Sequence, residues 1–591
     1  MNRAMWFVWM LRTDIRGNTP IASDEGQRDF VCWWLCFGRT EYPAVWTFDP
    51  TQIEVAQAPQ TPAGLPRLLA YLVRCRTDLA ETFTHAGVID VLGLLCWYRI
   101  SAPAELSLAP PLPSHLAELT ERPCKIPPWS APPSPNPPWP SHITHIPHIA
   151  VELWNRTPHL QARFPANDPT ARAALADWFA TTGQHLLAHP TPTKSPNPAR
   201  PQPPAIPHPR LRPRLRPHPL GVNLVGYPRG ELGIGEDVRM LSAALDSADI
   251  PHAIVDVPFG PTARRSDDSV AGRITTRLDH PITIFCLTAF DTADLYLRHG
   301  DHFFAGAYRI GNWPWELPRF PDAWRDAYDL VDEVWAATSY TMRSYVATGL
   351  QKPLRLMPPA VAIGPVRRTP WRKTLPNPKA FTFVVPFDPY SSFRRKNPLA
   401  AVLAFRQAFP LADPSVALLL RINGDPAGRP GWPELQAAAA GDPRIRLWTQ
   451  TLDRAEALGV VRDSDCLVSA HRAEGFGRNI AEAKLLGTPI LATGFSGNAD
   501  FTTEDESIAW RPIPLAPGDY PHADGLWWAE PRIDDLARRM REIRGVPTTR
   551  KSPAVVKTAS ARILQQVGQA YAGRLAEIFA AMTNTKPVTN R

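Results

Sequence analysis

The strongest constraint on the fold is an alternation of two apolar patterns that begins at Gly221. Short runs of strand type alternate with stretches whose apolar residues recur at helical spacing. The strand-type runs are GVNLVGY, HAIVDV and PITIFCLTA and then, after Leu356, FTFVVPF, SVALLLRI, IRLWTQ, CLVSA and PILAT. Such alternation is typical of βαβ units, which build parallel sheets. It predicts an α/β fold with two doubly wound (Rossmann-like) domains facing a cleft at the ends of their strands.

Helix signals lie between these runs. GEDVRMLSAALDSA has helical spacing, and NPLAAVLAFRQAF places Asn397 at the N-cap with Pro398 as the first helical residue. The chain closes with a predicted helix from Ala559 to Met582.

The first 188 residues show a weak threefold repeat of helical type. Each unit has an arginine-threonine pair after an apolar stretch, at Arg12-Thr13, Arg76-Thr77 and Arg156-Thr157. A tryptophan follows 21 or 22 residues later, at Trp33 (with Trp34), Trp97 and Trp178. We predict three related helical units whose tryptophans are core anchors, with a ligand or partner face as the alternative.

Proline divides the chain. The 68 prolines among 591 residues are about twice the usual ~5%, and they concentrate in two stretches. These predict the following division: a helical region 1–188 with a Pro-rich insert 122–148, a Pro/Arg-rich linker 189–219, two α/β domains 220–370 and 371–550, and a C-terminal helix and tail 551–591.

Charge and cysteine content limit the partners. A net charge of +8 is mild for this length and argues against nucleic acid. Seven scattered cysteines without a CxxC pair favour a reducing cytoplasm and argue against zinc. The linker arginines suggest peripheral contact with an anionic inner membrane face, at roughly 1 kcal/mol per charge, and a solvated linker is the alternative; they are Arg210, Arg212, Arg214 and Arg216.

The most specific motif is HRAEGFGRNIAEAKLLGTPILATGFSGNAD, from His471 to Asp500. A strand delivers a loop with Glu474 and two glycines, and a helix that begins near Arg478 carries Glu482. A helix N-terminus suits a diphosphate, and glycine lets phosphate approach the main chain. Carboxylates accept hydrogen bonds from sugar and ribose hydroxyls. The alternative is an ordinary glycine-rich turn with two solvated glutamates.

Two glutamates separated by seven residues, in EGFGRNIAE followed by GTPILAT, resemble the E-x7-E signature of retaining GT-B glycosyltransferases of family 4. The resemblance covers roughly Gly221 to Arg544 and includes SSFRRKNP. It implies that Arg395 and Lys396 bind the donor diphosphate and that Glu474 orients the sugar, as catalytic residues. It also implies a substrate-binding stretch made of Gly475, Phe476, Gly477, Arg478, Asn479, Ile480 and Glu482.

The candidate site residues of the first α/β domain belong to less specific motifs. Gly233 and Gly235 form a GxG before a predicted helix, and Glu236 follows them; the resemblance assigns this loop to the donor phosphate and acceptor. Val238 stands where a dinucleotide fingerprint needs a third glycine, which argues against a nicotinamide-dependent oxidoreductase. In GNWPWELPRFP, Trp315 and Glu316 are candidates for a sugar ring, with core tryptophans, Trp313 included, as the alternative. His471 either lies beside the sugar or ends its strand.

Neither a metal nor a cofactor is expected. Asp463-Ser464-Asp465 superficially matches the DxD of metal-dependent transferases, but it lies where a helix ends and a strand begins and is interpreted as a turn. The resemblance also implies that no metal is needed, because GT-B enzymes generally stabilise the leaving diphosphate with protein groups.

These features predict a cytoplasmic glycosyltransferase of hexosyltransferase type. Its donor would be a nucleotide-diphosphate sugar and its acceptor a glycan or lipid-linked hydroxyl in polysaccharide or lipopolysaccharide biosynthesis. Retention of configuration is implied by the resemblance. The alternative is a glycan-binding or scaffolding protein with an inactive transferase domain.

Overall fold

The computed structural model describes residues 2–21, 23–60, 64–85, 87–125, 145–165, 168–183, 220–257, 264–389, 391–523, 525–545 and 550–584. The linker arginines and most of the insert 122–148 lie outside these residues. The chain divides into two compact units, Met1–Pro207 with Asp294–Gly300 and His208–Ala293 with Asp301–Arg591. The domain boundaries given above stay a prediction. In the described parts of the chain, no helix is both long and apolar enough to cross a bilayer.

The first unit is mainly helical. Its helices are α1 (Arg3–Leu11), α2 (Thr13–Asn18), α3 (Asp24–Glu41), α4 (Pro50–Gln57), α5 (Arg67–Cys75), α6 (Thr77–Phe83), α7 (Val91–Ile100), α8 (Ala102–Glu105), α9 (Ser114–Glu121), α10 (His148–Arg156), α11 (Pro158–Arg163) and α12 (Pro169–Thr181). Two short antiparallel pairs accompany them, β1 (Thr84–His85) with β2 (Val88–Ile89) and β3 (Pro123–Lys125) with β4 (His145–Pro147).

Two arginines of this unit make the same set of contacts. Arg12 lies between α1 and α2, pairs with Asp14 and Glu41, and has its guanidinium 5.7 Å from the ring centre of Trp33. The contacts add charge-assisted hydrogen bonds to a cation–π interaction.

Arg76, between α5 and α6, repeats the arrangement with Asp78, Glu105 and Trp97, at 5.4 Å from the ring centre. The glutamate lies 29 residues after the arginine in both cases. Arg156 differs, because it pairs with Glu152 and lies over Phe83. Trp33, Trp34 and Trp97 are buried, as predicted for core anchors, whereas Trp178 is half-buried.

The second unit contains two parallel sheets. The first sheet has the order β10-β9-β8-β7-β5-β6. Its strands are β5 (Val222–Gly226), β6 (His252–Asp256), β7 (Ile282–Cys286), β8 (Tyr308–Asn312), β9 (Glu333–Ala336) and β10 (Leu354–Leu356), joined by α13 (Gly233–Ser247), α14 (Ala289–His299) and α15 (Ser339–Val346). The division into units assigns the end of α14, from Asp294 onward, to the first unit. Strands β5, β7 and β9 are buried along their whole length, as parallel strands covered by helices on both faces are, whereas the edge strand β10 is partly exposed.

The second sheet has the order β13-β12-β11-β14-β15-β16. Its strands are β11 (Phe381–Phe387), β12 (Val416–Ile422), β13 (Ile445–Trp448), β14 (Cys466–Ser469), β15 (Ile490–Thr493) and β16 (Ser507–Ile508), joined by α16 (Phe393–Lys396), α17 (Pro398–Ala408), α18 (Trp432–Ala439), α19 (Arg454–Asp463) and α20 (Arg478–Leu486). An antiparallel hairpin follows, β17 (Trp510–Pro514) with β18 (Trp527–Pro531), and then α21 (Ile533–Arg544).

Both sheets reverse their strand order at one point, because β5 lies between β6 and β7 and β11 lies between β12 and β14. The crevice at such a switch point is where ligands of doubly wound sheets bind. The predicted α/β class is therefore confirmed: the chain has two doubly wound parallel sheets, preceded by a mainly helical region.

The C-terminal helix α22 (Pro553–Asn584) is longer than the predicted Ala559–Met582. It packs against α13 so closely that a Cβ at Gly568 would lie 2.2 Å from the carbonyl oxygen of Ala244. Arg574 on this helix pairs with the buried Glu333 of β9. The helix that follows the second sheet thus stabilises the first.

Candidate active site

The two predicted basic residues and the first motif glutamate meet at the switch point of the second sheet. Arg395 and Lys396 are on α16, just after β11, and Glu474 is in the loop after the adjacent strand β14. Arg395 Nη1 lies 3.2 Å from Glu474 Oε2, and Lys396 Nζ donates to Glu474 Oε1. Arg395 also donates to the carbonyl oxygen of Ala473, at 2.9 Å.

Burial and charge act in opposite directions on these groups. Burial raises the pKa of Glu474, but Lys396 and Arg395 outweigh it and bring this pKa down to about 2. Burial lowers the pKa of Lys396, and the attraction of Glu474 only partly offsets it. The carboxylate therefore stays ionised, while two cations share it at hydrogen-bonding distance.

Two buried donors of α16 and its C-terminal end have no hydrogen-bond partner within the described ranges, Arg395 Nε and Asn397 Nδ2. Asn397 occupies the predicted N-cap position of α17, but its backbone is left-handed, with φ 49°, and its side chain makes no cap hydrogen bond. An unsatisfied buried donor costs free energy, which a ligand's acceptor atoms can recover.

His471 is fully buried just after β14. Its Nδ1 lies 2.9 Å from Ser469 Oγ and its Nε2 lies 2.9 Å from Asn498 Oδ1. Burial lowers its pKa, which favours the neutral ring with Nε2–H as donor to the asparagine oxygen. His471 therefore holds the loop that follows β15 against the motif.

The glycines of the motif allow close backbone contacts. A Cβ at Gly475 would lie 2.9 Å from the carbonyl oxygen of Trp315, and one at Gly497 only 2.0 Å from that of Gly475. Gly477 is the N-cap of α20 with φ 91°, and it has no side chain to cap the helix. The N-terminal amides of α20 are thus left without a side-chain cap at the point where a diphosphate is expected.

The side chains that follow point in different directions. Ile480 is a core residue, and the ring of Phe476 packs on Phe501, so neither side chain forms part of the polar site. Arg478 reaches residues that precede the second sheet: it pairs with Asp237 of α13 and donates to the carbonyl oxygen of Ala360 at 3.3 Å. Asn479 is partly buried.

Glu482, on α20, has a close partner that the sequence did not suggest. Arg454, the first residue of α19, forms a bidentate pair with it, at 2.5 and 3.1 Å. The same guanidinium lies 3.2 Å from Glu236. Burial raises the pKa of Glu236, but Arg454 and Arg478 outweigh this and lower it. Arg454 thus joins the carboxylates of both halves.

The two candidate glycines lie in the first turn of α13 and not before the helix; one serves packing and the other leaves space. Gly235 packs under the preceding turn, because a Cβ there would lie 2.2 Å from the carbonyl oxygen of Gly230. A Cβ at Gly233 would meet nothing within 4 Å. Of the two candidates in this turn, Gly233 leaves more room for a ligand.

Trp315 and Glu316 meet a residue that sequence analysis did not identify. Tyr520, in the loop between β17 and β18, donates its hydroxyl to Glu316 Oε2 at 2.7 Å, and its ring is edge-on to Trp315. Glu316 Oε1 lies 3.9 Å from Arg395 Nη2. Trp313 is a core residue that donates to Thr292. Nothing in the spacing of 515–526 marks Tyr520 as a site residue.

The two aspartates of the Asp463–Asp465 segment make structural ion pairs. Asp463 pairs with Arg462, and Asp465 pairs with both Arg372 and Arg550. Within the described parts of the chain, no three acidic, histidine or cysteine side chains come together as a metal site.

No protein-family model matches this sequence, and no curated protein does. Solved structures that resemble it include HepE of Anabaena with UDP and glucose (12% identical, TM-score 0.41, 61% of this chain and 100% of that one). Others are a sucrose-phosphate synthase of Thermosynechococcus elongatus (16%, 0.43, 61% and 100%) and a glycosyltransferase of Rickettsia africae (14%, 0.44, 62% and 100%). At these identities, the comparisons assign no role to any residue.

Proposed function

We propose that this protein is a glycosyltransferase of hexosyltransferase type, which moves a sugar from a nucleotide-diphosphate donor to a glycan or lipid-linked acceptor with retention of configuration. Polysaccharide or lipopolysaccharide assembly is the proposed setting. No cofactor takes part, since protein groups are available to neutralise the leaving diphosphate.

One observation carries the proposal. Two cations, the buried Arg395 and the half-buried Lys396, share Glu474 at hydrogen-bonding distance, at the switch point of the second sheet and beside a helix without a side-chain cap. A second carboxylate, Glu316, lies farther away and is held by Tyr520. The positive charge and the unsatisfied donors of Arg395 and Asn397 suit a doubly charged diphosphate.

Each group then has a role in sugar transfer. As the bond between the anomeric carbon and the phosphate oxygen breaks, negative charge grows on the diphosphate, where Lys396, Arg395 and the α20 amides stabilise it. Glu474 orients the sugar through its hydroxyls. The departing phosphate takes the proton of the attacking acceptor hydroxyl on the same face, so no separate general base is required.

Glu482 would hold the ribose while it stays paired with Arg454. An ionised carboxylate offers about four lone-pair sites, and the bidentate contact uses one on each oxygen. The remaining two suit the two ribose hydroxyls.

The proposal is tested by donor hydrolysis and sugar transfer with a panel of nucleotide sugars. The Lys396→Met protein should lose about 100- to 1,000-fold in kcat, because charge on the leaving group is no longer neutralised. Lys379→Met, which removes an exposed lysine before β11, is the control and should keep full activity. A wild-type protein that hydrolyses and transfers none of the donors, or a K396M protein of unchanged activity, would contradict the proposal.

A further inference from the structure

A further arginine lies at the ligand edge of the second sheet. Arg421 is the penultimate residue of β12, the strand next to β11, and in register it lies opposite Pro386 of β11 and Trp448 of β13. Ligands of parallel sheets bind at this carboxyl edge. The side chain is partly buried in an otherwise buried strand.

Arg421 has no hydrogen-bond partner for its buried Nε within the part of the chain that the structure describes. Burial and the nearby Arg454 lower the pKa of Arg421 to about 10, although Glu482 and Asp388 act in the opposite direction. A guanidinium only donates hydrogen bonds, so the buried Nε–H of Arg421 calls for an acceptor. A ligand with an acceptor atom at this place would therefore complete the hydrogen bonding of Arg421.

The neighbours of Arg421 indicate which part of the ligand lies beside it. Arg454 and Glu482 mark the ribose end of the proposed donor site, whereas Arg395, Lys396 and Glu474 mark the diphosphate end. Glu482 takes the ribose hydroxyls as an acceptor. Beyond the ribose, the acceptor atoms at this end of the donor are those of the nucleobase.

We propose that Arg421 selects the nucleobase by donating its Nε–H to a base carbonyl oxygen. This inference rests on the proposed function. Guanine and uracil each offer a carbonyl oxygen as acceptor, whereas adenine presents an amino group at the corresponding position and keeps only ring nitrogens as acceptors. Donors with uracil or guanine are therefore preferred to adenine.

The test is calorimetric binding of UDP, GDP and ADP, whose diphosphates are identical. Wild type should bind UDP or GDP at least tenfold more tightly than ADP. Arg421→Met should weaken that tighter binding by about 10- to 100-fold and change ADP binding by less than about threefold. Arg421→Lys, which keeps the charge without the planar Nε–H, should fall between them.

Arg446→Met is the matched control, because Arg446 is an exposed arginine of the adjacent strand β13; it should bind all three nucleotides like wild type. Three results would overturn this inference alone. They are equal affinity of the wild type for all three nucleotides, an equal loss of affinity for all three in R421M, and affinities of R421M that stay unchanged. Should R421M fail to fold, the same comparison with R421K decides. Binding of no nucleotide by wild type would overturn the proposed function as well.

Discussion

At the scale of single residues, burial decides which groups of the site carry charge. Glu474 is buried beside two cations, and its pKa falls to about 2. His471 is buried with neutral hydrogen-bond partners, and burial, aided by Lys396, lowers its pKa below 6.5 although Glu474 acts in the opposite direction. One motif thus contains a carboxylate that stays ionised and a histidine that stays neutral.

The histidine makes stability depend on pH. Its pKa is lower in the folded than in the unfolded state, so the unfolded chain binds more protons below about pH 6.5 and stability falls as pH falls. We expect His471→Gln to flatten the dependence of unfolding free energy on pH between 5 and 7, by at most about 1.4 kcal/mol per pH unit. Glu474 titrates below this window.

Denaturant unfolding at several pH values measures the slope, whatever the absolute stability of the variant. The exposed His302, replaced by glutamine, is the control and should leave the slope as in wild type. Equal slopes for H471Q and wild type would contradict the assignment of a neutral buried ring.

At the scale of elements, the β17–β18 hairpin connects the ends of both sheets. The amide of Ala529 donates to the carbonyl oxygen of Arg472, beside Glu474 in the chain. From the connecting loop, Asp519 accepts from Arg394 at 2.8 Å and Tyr520 donates to Glu316. The hairpin therefore positions Glu316 relative to Arg395.

Tyr520→Phe removes only the hydroxyl that holds Glu316. We expect Glu316 to move from 3.9 Å into closer contact with Arg395 and to neutralise charge meant for the diphosphate. Donor KM should then rise about tenfold, in line with a hydrogen bond to a charged group, while kcat changes less. Initial-rate kinetics of donor hydrolysis separate the two constants.

Tyr328→Phe is the matched control, because that hydroxyl lies 3.0 Å from Thr348 Oγ1 in the core of the first sheet's half. It should lower thermal stability and leave KM unchanged. A Y520F protein with wild-type KM would show that Tyr520 only packs.

At the scale of the whole α/β unit, polar contacts connect the two sheets' halves at their strand ends. Thr338 Oγ1 donates to the carbonyl oxygen of Gly475 at 2.9 Å, and Asp500 accepts from the amide of Ser339 at 2.7 Å, at the start of α15. Arg478 and Arg454 add ion pairs to Asp237 and Glu236. In the proposed function, these contacts hold the site assembled before a donor binds.

Asp500→Ala removes one connection and the charge at the N-terminus of α15. The assembled arrangement should become less populated, and apparent donor affinity falls by the same fraction. We expect donor Kd to rise about three- to tenfold by calorimetry. Asp505→Ala, at an exposed acidic residue of the next turn, is the control, and equal Kd values for D500A and wild type would contradict a role in assembly.

Much of this architecture could be predicted from local sequence. Local patterns predict the strand runs, the helix that begins at Pro398 and the motif around Glu474 and Glu482, because strand and helix periodicity are properties of neighbouring residues. In the first unit, the spacing of Arg12 and Arg76 from their tryptophans was visible, but their pairing with Glu41 and Glu105 was not.

By itself, the sequence determined two α/β sheets with an acidic, glycine-lined motif after one strand and a basic pair after another. Only the tertiary structure decided that Lys396 and Arg395 share Glu474, that Arg454 joins Glu482 to Glu236, and that Tyr520 holds Glu316. The reason is physical: strand order and loop packing bring together charges far apart in the chain, and their pairing depends on distance and burial, which local periodicity does not encode.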